Sequence, residues 1–384
     1  MPKKIAYFRI GTIPITNERF TYVLKKSFPD FEVEVIDILD IIKSRKGIIF
    51  INLLHLVKEY GPYVLLSRAR VRHHFFATSY MFKLIKALAS DYLAKDNYTL
   101  SIQIQSLFDA SVEGLPHFVY TDHTALANLN YPDFNNQKLH SNSWIELEKT
   151  IYQNAAIIFT RSTNITRSLI EQYACNPNQV VCVYAGSNAN VSDGSVNHNK
   201  YACKNILFVG RDWKRKGGPE LVKAFKAILK VHPDAKLTIV GCSPKHDVPN
   251  CNVVGEIPLN QVSEYYKNGS IFCMPTKHEP FGIVFIEAMS HKLPIVATNI
   301  GAIPDFVKEG DNGYLVKPGN IDQLAKALVD LLAQPDKCQA FGMKGYQIAI
   351  EKYTWENVGL RIKEKTLEVL SAKGIIGASS TTRF

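Results

Sequence analysis

Short apolar runs rich in β-branched residues alternate with amphipathic stretches along most of this chain, and this alternation limits the possible folds more than any other feature. Most runs are continuously apolar, which is typical of parallel strands covered on both faces. They read KIAYFRI, VEVIDI, YTLSIQI, HFVYTD, AIIFT and QVVCVY, then NILFVG, KLTIVG, NVVG, SIFCMP and PIVAT. Strands that alternate with helices predict an α/β protein with doubly wound parallel sheets.

The length of 384 residues predicts two domains, because one hydrophobic core rarely grows that large. A stretch rich in Asn, Ser and Gly without periodicity interrupts the pattern near the middle and predicts a linker. We therefore expect domains at 1–188 and 205–353, joined by a linker at 189–204. The remainder, 354–384, is predicted to be an amphipathic helix followed by a frayed tail.

The composition indicates the cellular compartment of such a chain. No run approaches 18 apolar residues, so no membrane-spanning helix is expected, and the short opening strand does not resemble a signal peptide. Seven cysteines without CxxC spacing favour a reducing compartment and no zinc site. The adjacent His73 and His74 lack ligand spacing and are expected at the surface. We expect a cytoplasmic protein.

The positive charge is concentrated in one segment. Residues 41–95 hold ten Lys and Arg against two acidic residues, a net charge of +8 out of +10 for the whole chain. The same segment contains apolar runs such as GIIFINLLHLV, and a basic surface with apolar residues attracts anionic membranes. One interpretation is that the segment attaches the protein to the inner face of the membrane as a peripheral protein. The other is that the segment is a solvated basic face or binds an acidic acceptor. The basic residues are not interleaved with stacking aromatics, so nucleic acid is not expected as a partner.

Two glutamates bracket a largely apolar run, HEPFGIVFIEAM. Glu279 follows the strand SIFCMP, and Pro280 disfavours a helical conformation for it, so Glu279 is predicted on a loop at the carboxyl end of a strand. Glu287 falls in the second turn of the helix that follows. The free N–H groups of Phe281, Gly282, Ile283 and Val284 are expected at the start of that helix, where an anion binds. Two carboxylates beside a phosphate-sized site predict a nucleotide-sugar ligand.

A second loop carries cations. The sequence FVGRDWKRKGG places Arg211 and Lys216 after a strand, where they could stabilise the charge of a departing diphosphate; Lys214 and Arg215 are expected to be solvated neighbours. The chain contains no D-x-D sequence for a metal clamp, so no metal ion or other cofactor is expected. It also contains no G-x-x-x-x-G-K-[ST] and no G-x-G-x-x-G, which disfavours kinase-type and dinucleotide sites.

The stretch EPFGIVFIEAM resembles the E-x7-E signature of glycosyltransferase family 4, a group 1 family of retaining enzymes. VYAGSN, VGRDWKRKGG and IVATNIGAIPDFVKEGDNGYLVKPGN are similar to the other landmarks of this family, in the family's order. The resemblance covers most of 150–335, and Ala302 and Asp305 in GAIPD depart from the commoner G-G-x-P-E. It implies the GT-B fold, in which two Rossmann-like domains face each other across a cleft and a C-terminal helix crosses back to the first domain.

The resemblance also implies roles for individual residues. Arg211 and Lys216 would hold the donor diphosphate, Glu279 would contact the hydroxyls of the transferred sugar, and Glu287 would hold the ribose. The loops at Gly241–Ser243 and Val254–Ile257 would flank the nucleobase, and the donor-binding set includes Gly241, Ser243 and Ile257. In the first domain, Gly11 after strand one, and Asp122 and His123 after HFVYT, would lie near the donor sugar. A tight turn would explain Gly11, and capping of the next helix would explain Asp122. The alternative for His123 is a hydrogen-bonded structural histidine, and capping and packing explain Arg161 equally well.

These patterns predict a metal-independent, retaining hexosyltransferase. It would move a hexose from a UDP- or GDP-sugar to the hydroxyl of a sugar, glycan or lipid-linked glycan acceptor, with Glu279, Lys216, Arg211 and His123 as catalytic residues. The alternative is a protein that binds nucleotide sugars or another partner on the same scaffold without turnover.

Overall fold

The computed structural model describes residues 3–12, 16–43, 45–187 and 198–377. These residues form two compact units. One contains residues 1–129, 134–184 and 355–384, and the other contains 130–133 and 185–354. Most of the predicted linker at 189–204, and most of the predicted frayed tail, lie outside the described residues.

Each unit is built on a six-stranded parallel sheet, in the order β2-β1-β3-β4-β5-β6 in the first and β12-β11-β10-β7-β8-β9 in the second. The strands are β1 Lys3–Arg9, β2 Phe31–Asp37, β3 Leu100–Ile104, β4 His117–Thr121, β5 Ile157–Thr160, β6 Val180–Cys182, β7 Asn205–Val209, β8 Lys236–Val240, β9 Cys251–Gly255, β10 Ile271–Met274, β11 Ile295–Thr298 and β12 Gly313–Val316.

Helices connect the strands as doubly wound topology requires. They are α1 Thr16–Ser27, α2 Ile38–Lys43, α3 Lys46–Tyr60, α4 Arg68–His74, α5 Ser79–Leu93, α6 Asn142–Asn154, α7 Thr163–Gln172, α8 Gly218–Ile228, α9 Val262–Asn268, α10 Ile283–Ser290, α11 Ile303–Phe306, α12 Ile321–Leu332, α13 Pro335–Lys352 and α14 Trp355–Ala372. Short 3-10 helices lie at Pro62–Leu66, Leu126–Asn130, Asn136–Lys138, Pro177–Gln179, His198–Cys203 and Leu259–Gln261.

The eleven predicted strand runs all contain strands, and the predicted fold class is confirmed at the level of two doubly wound units. Every residue of β3, β4, β5, β10 and β11 is buried, as expected for apolar strands covered on both faces. In α8, Leu221, Phe225 and Ile228 are fully buried, while Val222 and Leu229 on the same predicted face are partly exposed.

The sequence patterns missed β12. This strand has four residues, begins at Gly313 and is half-exposed at its two central positions, so it offers only a short apolar run after a glycine. At the end of the chain, α14 packs on α1 of the first unit. A methyl group on Gly359 would clash there with the Ser27 side chain, and Lys26 pairs with Glu356 at 3.0 Å.

Candidate functional site

The strand order of the second sheet places two loops side by side. β7 leads outward to β8 and β9, and the chain then returns to β10 on the other side of β7 before β11 and β12. The order therefore reverses between β7 and β10, which is where open α/β sheets bind ligands beyond the carboxyl ends of their strands. The residues at this position are the 211–216 turn, after β7, and the 275–282 loop, after β10.

Two glycines at the end of the 211–216 turn allow its close contacts. Gly217 has a φ of +77°, and a methyl group at this position would clash with the carbonyl oxygen of Pro275. A methyl group on Gly218 would overlap the ring of Trp213. Glycine at 217 therefore lets the turn approach the neighbouring loop, and glycine at 218 makes room for the Trp213 ring within the turn.

Lys216 and Glu279 meet at this contact. Nζ of Lys216 donates a hydrogen bond to Oε2 of Glu279, and the two side chains are only 12% and 7% exposed. The structure thus brings together two residues that the sequence predicts as parts of one site, although they are 63 positions apart. A buried cation paired with a buried carboxylate is neutral as a unit, and either group alone would be costly.

Arg215 differs from the sequence expectation. It was expected to be a solvated neighbour, but its guanidinium donates a hydrogen bond to the carbonyl oxygen of His278 at 2.7 Å and pairs with Asp212 at 3.2 Å. Its backbone carbonyl accepts the N–H of Lys277 at 2.8 Å. Arg215 therefore ties the turn to the loop. Arg211, at the start of the turn, is exposed to solvent.

The 275–282 loop ends in a helix whose first turn is uncapped. Gly282 precedes α10 with φ 97° and ψ 58°, and no side chain caps the N–H groups there. A Cβ atom on Gly282 would lie 2.7 Å from the Phe285 ring, so this conformation requires glycine. Phe281 is buried and packs its ring against Phe306 at 5.3 Å. The predicted amides of Gly282, Ile283 and Val284 therefore lie at the positive end of a helix.

Glu287 lies one turn into α10 and is partly exposed. Burial raises its pKa to about 7, and a hydrogen bond that the Tyr266 hydroxyl donates to Oε2 at 3.0 Å opposes the rise. Each further hydrogen bond from a hydroxyl group would stabilise the charged form of this carboxylate, whose pKa is raised.

The predicted nucleobase residues follow β8 and β9. Gly241 comes directly after β8 with φ +92°, where the register between β8 and β9 shifts, and a Cβ there would lie 3.1 Å from the Gly210 backbone. Ser243 is exposed, and Ile257, two residues beyond β9, is partly exposed. All three are thus at the same carboxyl edge of the sheet as the turn and the loop.

In the first unit, Gly11 lies at the corresponding reversal of strand order, between β1 and β3. Its φ is +67°, and its N–H donates to Oδ1 of Asp37 at 2.8 Å. Asp122 pairs at 3.3 Å with Arg161, which is buried over the ring of Tyr120. This ion pair accounts for Asp122 without helix capping.

His123 follows Asp122 in a tight turn. Its carbonyl oxygen accepts hydrogen bonds from Ser106 and Thr121 at 2.9 and 2.8 Å. Burial lowers the pKa of its imidazole, which is therefore neutral at neutral pH. A neutral ring can donate and accept hydrogen bonds at a sugar hydroxyl.

Tyr131 lies beside the 275–282 loop and was not predicted as a site residue. The segment 130–133 belongs to the second unit, and the buried Tyr131 ring packs edge-on against His278 at 4.1 Å. Its hydroxyl lies 2.7 Å from where a Cβ on Gly301 would be, and such a Cβ would also clash with the Glu279 carbonyl. No sequence signal links Tyr131 to residues almost 150 positions away.

Comparisons with known proteins show what this chain is similar to in sequence and in fold. Residues 197–348 match the family model for glycosyl transferases group 1. The chain is 26% identical over 340 residues to a D-inositol 3-phosphate glycosyltransferase of Corynebacterium aurimucosum, covering 81% of this chain and 80% of that protein.

Two solved structures are similar in fold. One is the sucrose-phosphate synthase of Thermosynechococcus elongatus, with a TM-score of 0.69 and 18% identity over 96% of this chain and 100% of that one. The other is the Anabaena protein HepE in complex with UDP and glucose, with a TM-score of 0.64 and 15% identity over 95% and 100%. They confirm the GT-B fold class. The residues that match the family model, 197–348, include Lys216, Glu279 and Glu287.

Proposed function

We propose that this chain is a retaining glycosyltransferase that moves a hexose from a UDP- or GDP-sugar to an acceptor hydroxyl without a bound metal ion. The observation that carries the proposal is the Lys216–Glu279 pair beside the uncapped start of α10, where the strand order reverses. A cation and helix-end amides suit a diphosphate, and a carboxylate beside them suits sugar hydroxyls.

In the proposed reaction the bond between the anomeric carbon and the diphosphate oxygen breaks. The acceptor oxygen forms its bond to the same face of that carbon, and the acceptor proton passes to the departing diphosphate, which acts as the base. Lys216, Arg211 and the amides of α10 stabilise the charge that develops on the diphosphate. Glu279 orients the sugar through its hydroxyls, and His123 is retained as a proposed catalytic residue.

In this proposal the nucleoside end of the donor binds at Glu287 and at the carboxyl ends of β8 and β9. Glu287 would accept hydrogen bonds from the two ribose hydroxyls, which favour its ionised form. The carboxyl ends of β8 and β9, with Gly241, Ser243 and Ile257, would flank the base. The relative from Corynebacterium aurimucosum acts on inositol 3-phosphate by its name, and HepE was crystallised with UDP. These relatives support a nucleotide donor and a hydroxyl-rich acceptor.

A panel of nucleotides tests the proposal. Thermal unfolding of the purified protein should shift upward with UDP or GDP and with the matching nucleotide sugar, while ATP and NAD leave it unchanged. A ligand at 100 times its dissociation constant stabilises the folded state by about 2.7 kcal/mol. Slow hydrolysis of the stabilising donor would identify an enzyme rather than a binding protein. No shift with any nucleoside diphosphate or its sugar would contradict the proposal.

We further propose that the basic segment 41–95 docks on an anionic membrane. Across the described residues, no helix has the length and apolar character needed to span a bilayer. Large apolar side chains are nevertheless exposed on α3 and the 3-10 helix after it, namely Ile49, Phe50, Ile51, Leu54, Tyr63, Leu65 and Leu66. Arg68, Arg70 and Arg72, all exposed, follow directly on α4.

A cavity in this surface favours a lipid as the ligand. It has a volume of about 300 Å³ and is lined by four apolar side chains and two arginines: Leu65, Val71, Phe75, Phe76, Arg68 and Arg72. Apolar walls beside two cations complement an anionic headgroup with its attached chain. A lipid-linked acceptor would be brought to the enzyme by such a surface.

Vesicle binding tests the membrane proposal. The protein should sediment with vesicles of phosphatidylcholine and phosphatidylglycerol at low salt and be released at high salt, because salt screens the attraction. The triple variant R68A/R70A/R72A should bind about a hundredfold more weakly, since each basic residue near the surface contributes about 1 kcal/mol.

The matched control removes three exposed lysines of α8 and its end, in the variant K223A/K226A/K230A. It carries the same change in net charge and should sediment like the wild type. Equal losses in the two triple variants, or binding that ignores lipid charge, would reject the docking surface.

A further inference from the structure

Three histidines from two separate segments meet in the first unit. His73 and His74 end α4, and His140 lies just before α6. One ring nitrogen from each lies within 4.8 Å of those of the other two. The sequence expectation that both members of the His73–His74 pair lie at the surface is wrong for His74, which is buried, while His73 is exposed.

The closest pair has the spacing of two ligands on one ion. Nδ1 of His74 lies 3.2 Å from Nδ1 of His140. Two nitrogens bound to a tetrahedral zinc ion at about 2.0–2.1 Å are separated by about 3.3 Å. Without an ion, the same two nitrogens can share only one proton. The observed spacing therefore suits both a hydrogen bond and a shared metal.

The third ring is oriented by a backbone carbonyl. Nε2 of His73 lies 3.1 Å from the carbonyl oxygen of Lys138, so this nitrogen carries the proton and Nδ1 keeps its lone pair. Metal-bound histidines usually donate their other ring N–H to such a carbonyl, which fixes both the tautomer and the ring.

The other two rings are held by aromatic neighbours. His74 stacks on Tyr60 with ring centroids 4.0 Å apart, and His140 packs edge-on against Trp144 at 4.6 Å. These ring contacts fix the orientation of both imidazoles.

We propose that His73, His74 and His140 bind one divalent transition-metal ion of the zinc class, with a water molecule at the fourth position. Imidazole nitrogens suit zinc, cobalt, nickel and copper and do not suit magnesium or calcium. The ion would clamp the end of α4 to the segment before α6, and so fix the basic surface that α4 carries. This site is independent of the proposed glycosyl transfer, which needs no metal.

Metal titration of tag-free protein tests the site. Zn²⁺ should bind with one-to-one stoichiometry in calorimetry and raise the melting temperature, while Mg²⁺ does neither. Co²⁺ should give the visible absorption of a tetrahedral complex. The variant H73A removes an exposed ligand and should weaken Zn²⁺ binding by at least about tenfold, since losing even a supporting partner of a ligand costs 10–100-fold.

Two further variants separate metal binding from simple packing. H73C replaces one zinc ligand with another and should retain binding, whereas a purely aromatic cluster gains nothing from a thiol. H55A removes a histidine that stacks on Tyr80 in the same unit and should bind Zn²⁺ like the wild type. If the wild type shows no one-to-one binding of Zn²⁺ or Co²⁺, or if H73A binds as tightly as the wild type, the site does not exist.

Discussion

The variant K216A should lose at least about a hundredfold in turnover, because removing one charge-assisted contact to a leaving group costs about 3 kcal/mol of transition-state stabilisation. Lys216 is almost buried and lies at the reversal of strand order, so its charge acts in a medium that screens it poorly. The rate should fall through kcat more than through KM, since the diphosphate gains charge as it departs. Steady-state kinetics with the donor found in the nucleotide panel measure this.

K214A is the matched control for this prediction. Lys214 lies in the same turn with an exposed side chain. Its removal changes net charge equally but should change turnover by no more than about threefold, as for an exposed, screened charge. If K216A and K214A have equal effects, or if K216A retains full activity, Lys216 does not stabilise the leaving group.

The second large effect concerns the stability of the ligand-free protein. E279A leaves Lys216 almost buried without the carboxylate that neutralises it, which should cost on the order of 3 kcal/mol. In a unit of this size, such a loss lowers the melting temperature by about 6–12 °C. Differential scanning fluorimetry of the wild type and the variant measures the difference.

The affinity for inorganic pyrophosphate should change in opposite directions in the variants E279A and K216A. In E279A the anion can neutralise Lys216 and no longer meets a nearby carboxylate, so it should bind about tenfold more tightly or better than to the wild type. In K216A it meets an unpaired carboxylate and should bind more weakly. If pyrophosphate stabilises both variants equally, the anion does not bind at this pair.

The local features of the site were predictable from the sequence. Pro280 indicates that Glu279 lies on a loop, and the glycine after Phe281 indicates where the helix begins; α10 indeed starts at Ile283, directly after Gly282. These features depend on backbone preferences of neighbouring residues, which a short stretch of sequence contains. The strand runs were predictable for the same reason.

Contacts between distant residues were not predictable. Nothing in the local pattern reveals that Gly217 touches Pro275, that Arg215 donates to the carbonyl of His278, or that Tyr131 packs beside the loop. The same holds for His140, which joins His73 and His74 from 66 positions away. These arrangements follow from which strands are neighbours in the sheets and how loops pack at their edges.

For individual site residues, too, the local position was predictable from the sequence, and the contact partners were not. The sequence patterns predicted Arg211, Lys216 and Glu279 on loops and Glu287 in a helix. The structure adds that Lys216 and Glu279 neutralise each other while Arg211 is exposed. For Asp122, sequence allowed either capping or donor contact, and the structure shows an ion pair with Arg161. Which of these residues touch the donor remains a prediction of the proposed function.

A crystal structure with the bound nucleotide sugar tests the central claim most directly. The account predicts that the diphosphate lies within hydrogen-bonding distance of Lys216 Nζ and of the amides at the start of α10, with the sugar hydroxyls at Glu279. A diphosphate bound away from both the 211–216 turn and the 275–282 loop would contradict it.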